Sequence, residues 1–280
     1  MRAPTVSVVV PTRNRADYLE VALTSLLSQD LPEGCDVVVV DDGSTDSTAK
    51  VVRQIGGRHL PLAPPGGLNA ARNLGVRETQ GSIVAFVDDD VWAPPGWLRA
   101  LAQGAARHPE ADAFGGPIRA RIEGRAPRAC GREKPPITTL DLGPEDVEAP
   151  MVWGANFAVR REAFERHGPF DESLAGHGDE EEWLLALRAA GGRIVYLAAA
   201  GLDHRRTGDD SRLRSLARAA YHRGRAARRT DTRRGVAPST ARELRNVAGA
   251  GWHTVRRACP QGIVMGAHSA GRLVEAVQGP

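Results

Sequence analysis

The sequence predicts an α/β fold in which a mostly parallel sheet is flanked by helices and followed by a basic, helical C-terminal tail. Apolar, β-branched runs at 6–10, 37–40 and 83–87 alternate with stretches of helical length. This alternation is typical of a parallel sheet with crossover helices. Two of the runs end directly in carboxylates, at 41–42 and 88–90. Open α/β sheets bind ligands at the carboxyl ends of their strands, so a functional site is expected there.

The elements of the first half follow from the periodicity. The strand at 6–10 stops at Pro11, and apolar residues spaced three and four apart then predict an amphipathic helix. That apolar stripe consists of Leu19, Ala22, Leu23, Leu26 and Leu27. A helix over about 46–55 follows the second strand, and Ser44 or Asp46 is expected to cap it. The remaining elements are a helix at 70–78, the strand at 83–87, a helix at 96–107 and a short strand at 113–116.

The second half begins with a stretch, 119–150, that is rich in Pro, Gly and Arg and has weak periodicity. We predict a long loop that covers a site, because long loops in compact domains are usually functional or disordered. After it come a strand at 153–159, a helix at 161–167, a helix that opens with four acids at 179–182 and a strand at 194–197. Basic helical patterns follow at 212–229, 240–259 and 264–277.

The charge of the chain is split between two regions. Residues 211–280 contain 14 arginines and three acidic residues, a net charge of +11, whereas residues 1–210 carry −8. We therefore expect a main domain over 1–207 and a basic, mainly helical extension over 208–280. An apolar stripe lies on the first helix of the extension, at Leu213, Leu216, Ala217, Ala220 and Tyr221. It fits either packing on the acidic main domain or contact with an anionic membrane.

Cysteine usage and hydropathy argue against several classes of protein. Cys35, Cys130 and Cys259 lie far apart and form no Cys-x-x-Cys pair, so neither a disulfide framework nor a zinc site is predicted. No apolar stretch approaches the roughly 20 residues that span a bilayer, and Met1 precedes a strand almost directly. A cytoplasmic protein is therefore expected, placed on the inner face of the membrane if the extension binds lipid. Nucleic acid is not expected, because Tyr221 and Trp252 are the only aromatic residues of the extension.

Three consecutive carboxylates, Asp88, Asp89 and Asp90, follow the strand at 83–87. Because side chains alternate along a strand, Asp88 and Asp90 are expected on one side and Asp89 on the other. Such crowded carboxylates are stabilised by a cation, and hard oxygen ligands suit Mg²⁺ or Mn²⁺. The alternative is a solvated acidic turn.

Six stretches together resemble glycosyltransferase family 2, a group of inverting enzymes that use nucleotide sugars and have the Rossmann-like GT-A fold. They are VVVPTRNR at 8–15, VVVDDGS at 38–44, NAARNLG at 69–75, FVDDD at 86–90, GANF at 154–157 and the acidic helix at 178–188. Each is a weak signal alone, whereas six in the family's order and spacing are a strong one. The resemblance covers about 5–207 and implies a nucleotide-binding half over 1–118 and an acceptor half over 119–207.

The resemblance assigns roles to individual residues. At the nucleotide, Asp41 would accept a hydrogen bond from the base imide, which favours UDP or dTDP, and Arg72 would lie near the ribose or diphosphate. Asp88 would contact the ribose or metal-bound water, and Asp90 would bind the metal, with His204 as a further metal or diphosphate ligand. Other nucleotide-site residues are Pro11, Thr12, Arg15, Asp42, Ser44 and Asp89. Acceptor-site residues are Trp153, Gly154 and Asn156.

The catalytic base in this family is the second acid of a Glu-Asp pair that opens a helix. Here the pair reads Asp179-Glu180, with the two acid types swapped. Glu180 takes the position of the base, but its extra methylene leaves Asp179 as an alternative. A carboxylate in this place would take the proton of an acceptor hydroxyl as the new bond forms. The separate metal site fits direct displacement with inversion, since no second, nucleophilic carboxylate is needed.

Two other functions compete with this hypothesis. A sugar-nucleotide nucleotidylyltransferase shares an α/β core and metal carboxylates, but it would show a Gly-rich loop after the first strand, and residues 11–15 contain no glycine. A non-catalytic protein that binds a nucleotide sugar or an anionic surface is the other. The acceptor would be a carbohydrate, a lipid-linked compound or a small molecule. The sequence does not indicate the sugar or the oligomeric state.

Overall fold

The computed structural model describes residues 4–30, 35–124, 127–128, 130–131, 136–174 and 179–278, without the side chain of Asp179. These residues form two compact units. The first comprises Met1–Arg119 and Thr139–His204, and the second comprises Ala120–Thr138 and Arg205–Pro280. The second unit therefore includes 120–138, which the sequence placed in the acceptor half of the main domain.

The first unit is built on a central sheet. Its strands are β1 (Val6–Thr12), β2 (Asp36–Asp41), β3 (Arg58–Pro61), β4 (Ile83–Val87), β6 (Ala113–Gly115), β8 (Val147–Glu148), β9 (Asn156–Arg160) and β10 (Ile194–Tyr196). Their order across the sheet is β3-β2-β1-β4-β9-β6-β10-β8. Strands β3, β2, β1 and β4 are parallel, as are β6 and β10, whereas β9 runs antiparallel to β4 and β6. The predicted mostly parallel sheet is confirmed.

Shorter strands bring further chain to the end of β4. Strand β5 (Val91–Trp92) follows the acidic triplet, and it pairs antiparallel with β11 (Leu202–Arg206). In this register His204 lies opposite Val91. Strand β7 (Ile118–Ile122) also belongs to this small sheet. The predicted loop over 119–150 is thus partly wrong, because β7 and β8 lie within it.

Helices cover both faces of the central sheet. They are α1 (Ala16–Leu27), α2 (Thr48–Ile55), α3 (Leu68–Arg77), α4 (Trp97–Arg107), α5 (Arg161–His167) and α6 (Asp179–Ala189). Side chains alternate along each strand, so Val8 and Ala85 pack in one apolar cluster while Val9 and Phe86 pack in another. Each helix for which the sequence predicted a start and an end lies within a few residues of one of these helices. The N-cap of α2 is Ser47, whose side chain makes no capping hydrogen bond, rather than Ser44 or Asp46. The Asp46 carboxylate, one residue earlier, accepts from the Thr48 N–H at 3.0 Å.

The second unit is mainly helical. A short 3₁₀ turn, Gly208–Ser211, precedes α7 (Leu213–Arg233), α8 (Thr240–Arg256) and α9 (Gln261–Gln278). Helices α7 and α9 pack closely, since a Cβ on Gly224 would lie 2.0 Å from the His268 carbonyl oxygen. The small core contains Ile137, Leu216, Ala220 and Val264. The centre of the predicted apolar stripe on α7 is therefore buried inside this unit.

Buried and half-buried ion pairs join the helices of the second unit. The carboxylate of Glu275 on α9 lies 2.6 Å from Arg225 and 3.1 Å from Arg229. Arg272 lies 2.7 Å from Asp231 and 2.8 Å from Glu243. The three acids of residues 211–280 thus each pair with arginines of neighbouring helices. Among the described residues, no helix is long and apolar enough to cross a membrane.

Candidate functional site

The acidic triplet follows the carboxyl end of β4 and leads into β5, which pairs with β11. One ligand atom from each of Asp88, Asp90 and His204 can be chosen so that all three lie within 4.8 Å of one another. The Nε2 atom of His204 is 3.1 Å from Oδ1 of Asp90. The pairing of His204 with Val91 across β5 and β11 explains why a residue more than a hundred positions away reaches the triplet. Two carboxylates and one imidazole are thereby brought together.

Asp89 lies in the turn that follows β4; it has one partner of its own and shares another with Asp90. Its Oδ2 atom accepts a hydrogen bond of 2.8 Å from the Thr12 hydroxyl. The guanidinium of Arg15 lies 3.3 Å from Asp89 and donates to Oδ2 of Asp90 at 2.7 Å. Arg15 therefore bridges two carboxylates of the triplet. The resemblance implies that Arg15 lines the nucleotide base pocket at the end of the first strand, and that role stays a prediction.

Burial and mutual repulsion shape the protonation of the triplet. Burial raises the pKa of Asp88, and the nearby charge of Asp90 raises it further. Burial also raises the pKa of Asp89, to about 7, although Arg15 opposes the shift. For Arg15 itself, burial alone would lower the pKa, but Asp89 and Asp90 outweigh it and raise the pKa. These carboxylates are costly to ionise together, so a bound cation would stabilise the charged forms.

The donor set fits a divalent metal. Two carboxylates and a histidine are ligands that Mn²⁺ accepts, and carboxylate oxygens also suit Mg²⁺. The three donors are close enough for one ion, and Asp90 and His204 are buried. Asp88 and Asp90 are therefore candidate metal ligands together with His204.

A second group of polar residues lies at the ends of β1 and β2. Thr12 and Asp41 are register partners, and Pro11 lies beside Val40. The Asp41 carboxylate accepts from the Ser44 N–H at 2.8 Å, and its other oxygen lies 3.1 Å from His59 Nε2. Pro11, Thr12, Asp41 and Ser44 are thereby collected at one edge of the sheet. Carboxylate oxygens accept more than one hydrogen bond, so Asp41 keeps capacity for a ligand.

Asp42 fixes the loop that precedes α3. Its Oδ1 atom accepts from the backbone N–H groups of Gly66 and Gly67, at 2.7 and 3.1 Å. Its Oδ2 atom lies 3.4 Å from Arg13. The backbone N–H of Asp42 donates to the Thr12 carbonyl at 2.9 Å. Asp42 therefore connects the ends of β1 and β2 to the start of α3.

Helix α3 carries Arg72 towards the start of α6. The Nη1 atom of Arg72 lies 3.4 Å from Oε2 of Glu180, and both side chains are buried. The guanidinium also faces the rings of Phe157 and Phe170, with Cζ 5.5 and 5.7 Å from their centroids. The other oxygen of Glu180 accepts from the Gly154 N–H at 2.9 Å. The carboxylate of Glu180 is thus contacted from two sides, by Arg72 of α3 and by the backbone at Gly154.

Gly154 must remain a glycine for this arrangement. A Cβ atom at this position would lie 2.8 Å from Nη2 of Arg72 and 2.9 Å from Oε1 of Glu180. Both distances are too short for a carbon atom, so the ion pair would have to move. Of the predicted acceptor-site residues, Gly154 is therefore in direct contact with the candidate base.

The other two predicted acceptor-site residues differ in exposure. Trp153 is half-buried and packs against the apolar cluster beneath it. Asn156 is buried, and its amide is occupied by the fold. The oxygen accepts from Trp97 Nε1 at 3.2 Å, and the nitrogen donates to the carbonyls of Ala200 and Pro117 at 2.8 and 3.2 Å. These contacts connect Asn156 to α4 and to the backbone at Pro117 and Ala200; its contact with an acceptor stays a prediction.

The position of Asp179 is described only in part. Its backbone begins α6, one residue before Glu180, while its side chain lies outside the described residues. The preference for Glu180 over Asp179 therefore stays a prediction.

Several polar residues near the site were not predicted from the sequence. His59 contacts Asp41 from the neighbouring strand β3. Asn73 on α3 accepts from the Phe170 N–H at 3.0 Å and donates to Glu172 at 2.8 Å, and Asn69 donates to the Asp171 carbonyl at 2.8 Å. These two amides connect α3 to the segment that leads towards α6. The NAARNLG stretch carries both asparagines and Arg72 at helical spacing, which was the available signal.

The mostly parallel sheet with carboxylates at its strand ends is the GT-A fold that the sequence predicted. The family model of glycosyl transferase family 2 matches residues 7–168. The chain belongs to this family.

Characterised relatives share part of their length with this chain. It is 34% identical over 238 residues to the pre-mycofactocin glycosyltransferase of Mycobacterium tuberculosis, covering 79% of this chain and 47% of that protein. It is 28% identical over 202 residues to the glycosyltransferase AglE of Haloferax volcanii, covering 69% and 64%. The chain thus spans about half to two thirds of the length of these relatives.

Solved structures confirm the fold. The chain is similar to GalNAc-T7 crystallised with UDP, GalNAc and Mn²⁺, with a TM-score of 0.62 at 17% identity, over 80% of this chain and 48% of that one. It is also similar to the mannosyltransferase PcManGT of Pyrobaculum calidifontis in complex with GDP-Man and Mn²⁺. There the TM-score is 0.61 at 21% identity, over 99% and 74% of the two chains.

Proposed function

We propose that this chain transfers a sugar from a nucleoside diphosphate to an acceptor hydroxyl by metal-assisted direct displacement, with inversion at the anomeric carbon. The observation that carries the proposal is the presence of two distinct carboxylate groups in the first unit. One is the cluster of Asp88, Asp90 and His204. The other is Glu180, held by Arg72 and Gly154. Family membership favours this reaction over nucleotidyl transfer.

The donor nucleotide would lie along the carboxyl ends of β1, β2 and β4. Asp41 would accept from the imide of uracil or thymine, and this is the basis for favouring UDP or dTDP. Its orientation is set by the Ser44 N–H and by His59. Pro11, Thr12 and Asp42 would form the neighbouring walls. Two similar structures contain UDP and GDP-Man, which supports a nucleotide sugar but not one base.

The diphosphate would lie beside the acidic triplet. Asp88, Asp90 and His204 would hold the divalent cation, which when bound neutralises the leaving diphosphate as a Lewis acid. Arg15 contacts both Asp89 and Asp90, and its charge opposes the rise in the pKa of Asp89. The Mn²⁺ in both similar structures supports a divalent cation, and Mg²⁺ is the alternative.

Glu180 would act as the general base. Its two oxygens are oriented by the Gly154 N–H and by Arg72, and each retains a lone pair for the acceptor hydroxyl. Taking that proton as the glycosidic bond forms is worth about 10²–10⁴-fold in rate. Asp179 remains the alternative base. A single displacement with one base leads to inversion, since no glycosyl-enzyme intermediate is formed.

The acceptor would be a carbohydrate, a lipid-linked compound or a small molecule. The direct test is a screen of nucleotide sugars by thermal shift with Mn²⁺ or Mg²⁺, followed by measurement of nucleoside diphosphate release with candidate acceptors. Stabilisation by one nucleotide sugar and acceptor-dependent release would support the proposal. Binding without any transfer across all three acceptor classes would instead favour a non-catalytic binding protein.

We also propose that the second unit contacts an anionic membrane surface, through α8 rather than α7. The centre of the α7 stripe is buried, but Leu244, Trp252 and Val255 on α8 are exposed. They share the helix with Arg245 and Arg256, which are also exposed. Exposed tryptophan and leucine beside arginine are typical of helices that lie in a lipid interface.

A further inference from the structure

The second unit brings together three side chains that the sequence keeps far apart. Ligand atoms of Cys130, His253 and Cys259 lie within 4.8 Å of one another. The sulfur of Cys130 is 3.4 Å from Nε2 of His253. All three residues belong to the second unit, so the cluster is independent of the glycosyl-transfer site described above. No Cys-x-x-Cys spacing indicates it, which is why the sequence predicted no such site.

The turn between α8 and α9 places two of the three groups. His253 lies in the last turn of α8, and Cys259 follows the end of that helix. Between them, Ala258 adopts a left-handed conformation with φ of 46°. The N–H of Cys259 then donates to the Thr254 carbonyl at 3.1 Å, and the carbonyl of Cys259 accepts from Gly262 at 3.0 Å. These backbone hydrogen bonds close the turn and keep Cys259 close to His253.

The third group comes from a distant segment that has its own attachment. The side-chain nitrogen of Gln261, the first residue of α9, donates to the Pro127 carbonyl at 3.3 Å. Pro127 lies three residues before Cys130. The approach of Cys130 to the turn is therefore supported by a second contact. Cys259 is buried and Cys130 is exposed, so the cluster is open to solvent from one side.

A hydrogen bond between thiol and imidazole would account for Cys130 and His253 but not for Cys259. Two thiolates and one imidazole are instead the three protein ligands of a known type of tetrahedral zinc site, in which the fourth position is open. With the usual metal-ligand distances, sulfur and nitrogen ligands in such a site lie about 3.6 Å apart. The observed distance of 3.4 Å is close to this value.

We propose that Cys130, His253 and Cys259 form a binding site for a thiophilic divalent cation, with Zn²⁺ as the natural candidate. The ion would join the segment around Cys130 to the α8–α9 turn. Binding requires that both thiols lose their protons, which exchange with the ion on entry. The proposal does not depend on the identity of the sugar donor or on the transfer reaction.

The test is a titration of the full chain with Co²⁺, after removal of metal and under reducing, anaerobic conditions. We expect one tightly bound Co²⁺ with the near-ultraviolet charge-transfer absorption of a cobalt thiolate, displaced by one equivalent of Zn²⁺. Oxygen and nitrogen ligands at Asp88, Asp90 and His204 cannot produce that absorption, so the two sites are distinguished. Cys130→Ser and Cys259→Ser should each abolish it or strongly reduce it, and Cys35→Ser should not.

Folding is monitored separately, by circular dichroism and by thermal unfolding with and without Zn²⁺. Zn²⁺ should raise the unfolding temperature of the parent chain and of Cys35→Ser, but not that of Cys130→Ser, whose exposed side chain can be changed without disturbing a core. Absence of thiolate absorption in the fully reduced parent chain would overturn the proposal. So would its retention in both Cys130→Ser and Cys259→Ser, or a Cys130–Cys259 disulfide in protein purified anaerobically.

Discussion

Arg72 and Glu180, which are 108 residues apart in the sequence, form a buried ion pair with 3.4 Å between Nη1 and Oε2. Because Arg72 lies on α3 and Glu180 on α6, the pair joins the two helices at the place where the Gly154 N–H also contacts the carboxylate. One oxygen of Glu180 lies beside the guanidinium of Arg72, and the other accepts a hydrogen bond from the backbone N–H of Gly154. The position of the candidate base is therefore fixed by groups outside its own helix.

Replacing Gly154 by Ala should lower turnover by about 10²-fold, because a displacement of about 1 Å in a catalytic group has this effect. The added Cβ would lie less than 3 Å from both Arg72 and Glu180. Donor binding by calorimetry should change little. Gly249→Ala is the matched control, since nothing lies within 4 Å of a Cβ there. Equal turnover of the two variants would mean that the position of Glu180 is not critical.

Glu180→Gln should reduce turnover by roughly 10²–10⁴-fold and leave donor binding intact, because only the proton acceptor is removed. Asp179→Asn is compared in the same assay, and Glu165→Gln on the exposed face of α5 serves as the control. If Asp179→Asn alone is inactive, the base is Asp179 and the swapped pair has been assigned one position too late.

The contribution of Glu275 to stability should fall as the pH is lowered into the acid range. Burial alone would raise the pKa of this carboxyl, but Arg225 and Arg229 outweigh that effect and lower it. A carboxyl whose pKa is lower in the folded chain stabilises the fold above its unfolded pKa of about 4.3. That stabilisation is lost as the pH falls below this value and through the folded pKa. Glu275→Gln should therefore lower the unfolding temperature at pH 6 and matter less at pH 3. An equal difference between variant and parent at both pH values would contradict the ion-pair explanation.

Replacing Leu244 and Trp252 together by Ser should weaken binding to anionic vesicles by tenfold or more. Full burial of one such side chain contributes about 1.5–3 kcal/mol, and about 1.4 kcal/mol corresponds to a tenfold change in affinity. Val236→Ser, equally exposed but outside α8, is the control. Co-sedimentation at low and high salt measures the effect, and salt should release the parent chain by screening the arginines. Recovery of the parent chain in the supernatant with and without anionic vesicles would remove the membrane from the account.

Strands β1, β2 and β4 could be predicted because each contains a short β-branched run, whereas β3 (Arg58–Pro61) and β8 (Val147–Glu148) have no such run and were not predicted. The different surroundings of the three acids did not follow from strand alternation, because β4 ends at Val87 and Asp89 and Asp90 lie in a turn. The contacts of His59 with Asp41 and of Gly154 with Glu180 could not be predicted in this way. They depend on the register of β3 and on the path of the chain before β9, and neither is determined by local pattern. The grouping of 120–138 with the helical extension likewise depends on long-range packing.

Metal-dependent binding of the donor nucleotide tests the strand-end carboxylate site most directly. Calorimetry can measure it with UDP and dTDP in the presence of Mn²⁺, Mg²⁺ or EDTA. We expect binding with either metal, its loss in EDTA, and its loss in Asp90→Ala with the unfolding temperature little changed. Asp17→Ala, an exposed acid on α1, should bind as the parent does. Equal affinity of Asp90→Ala and the parent in Mn²⁺, or undiminished binding in EDTA, would contradict the assignment of the strand-end carboxylates to the metal.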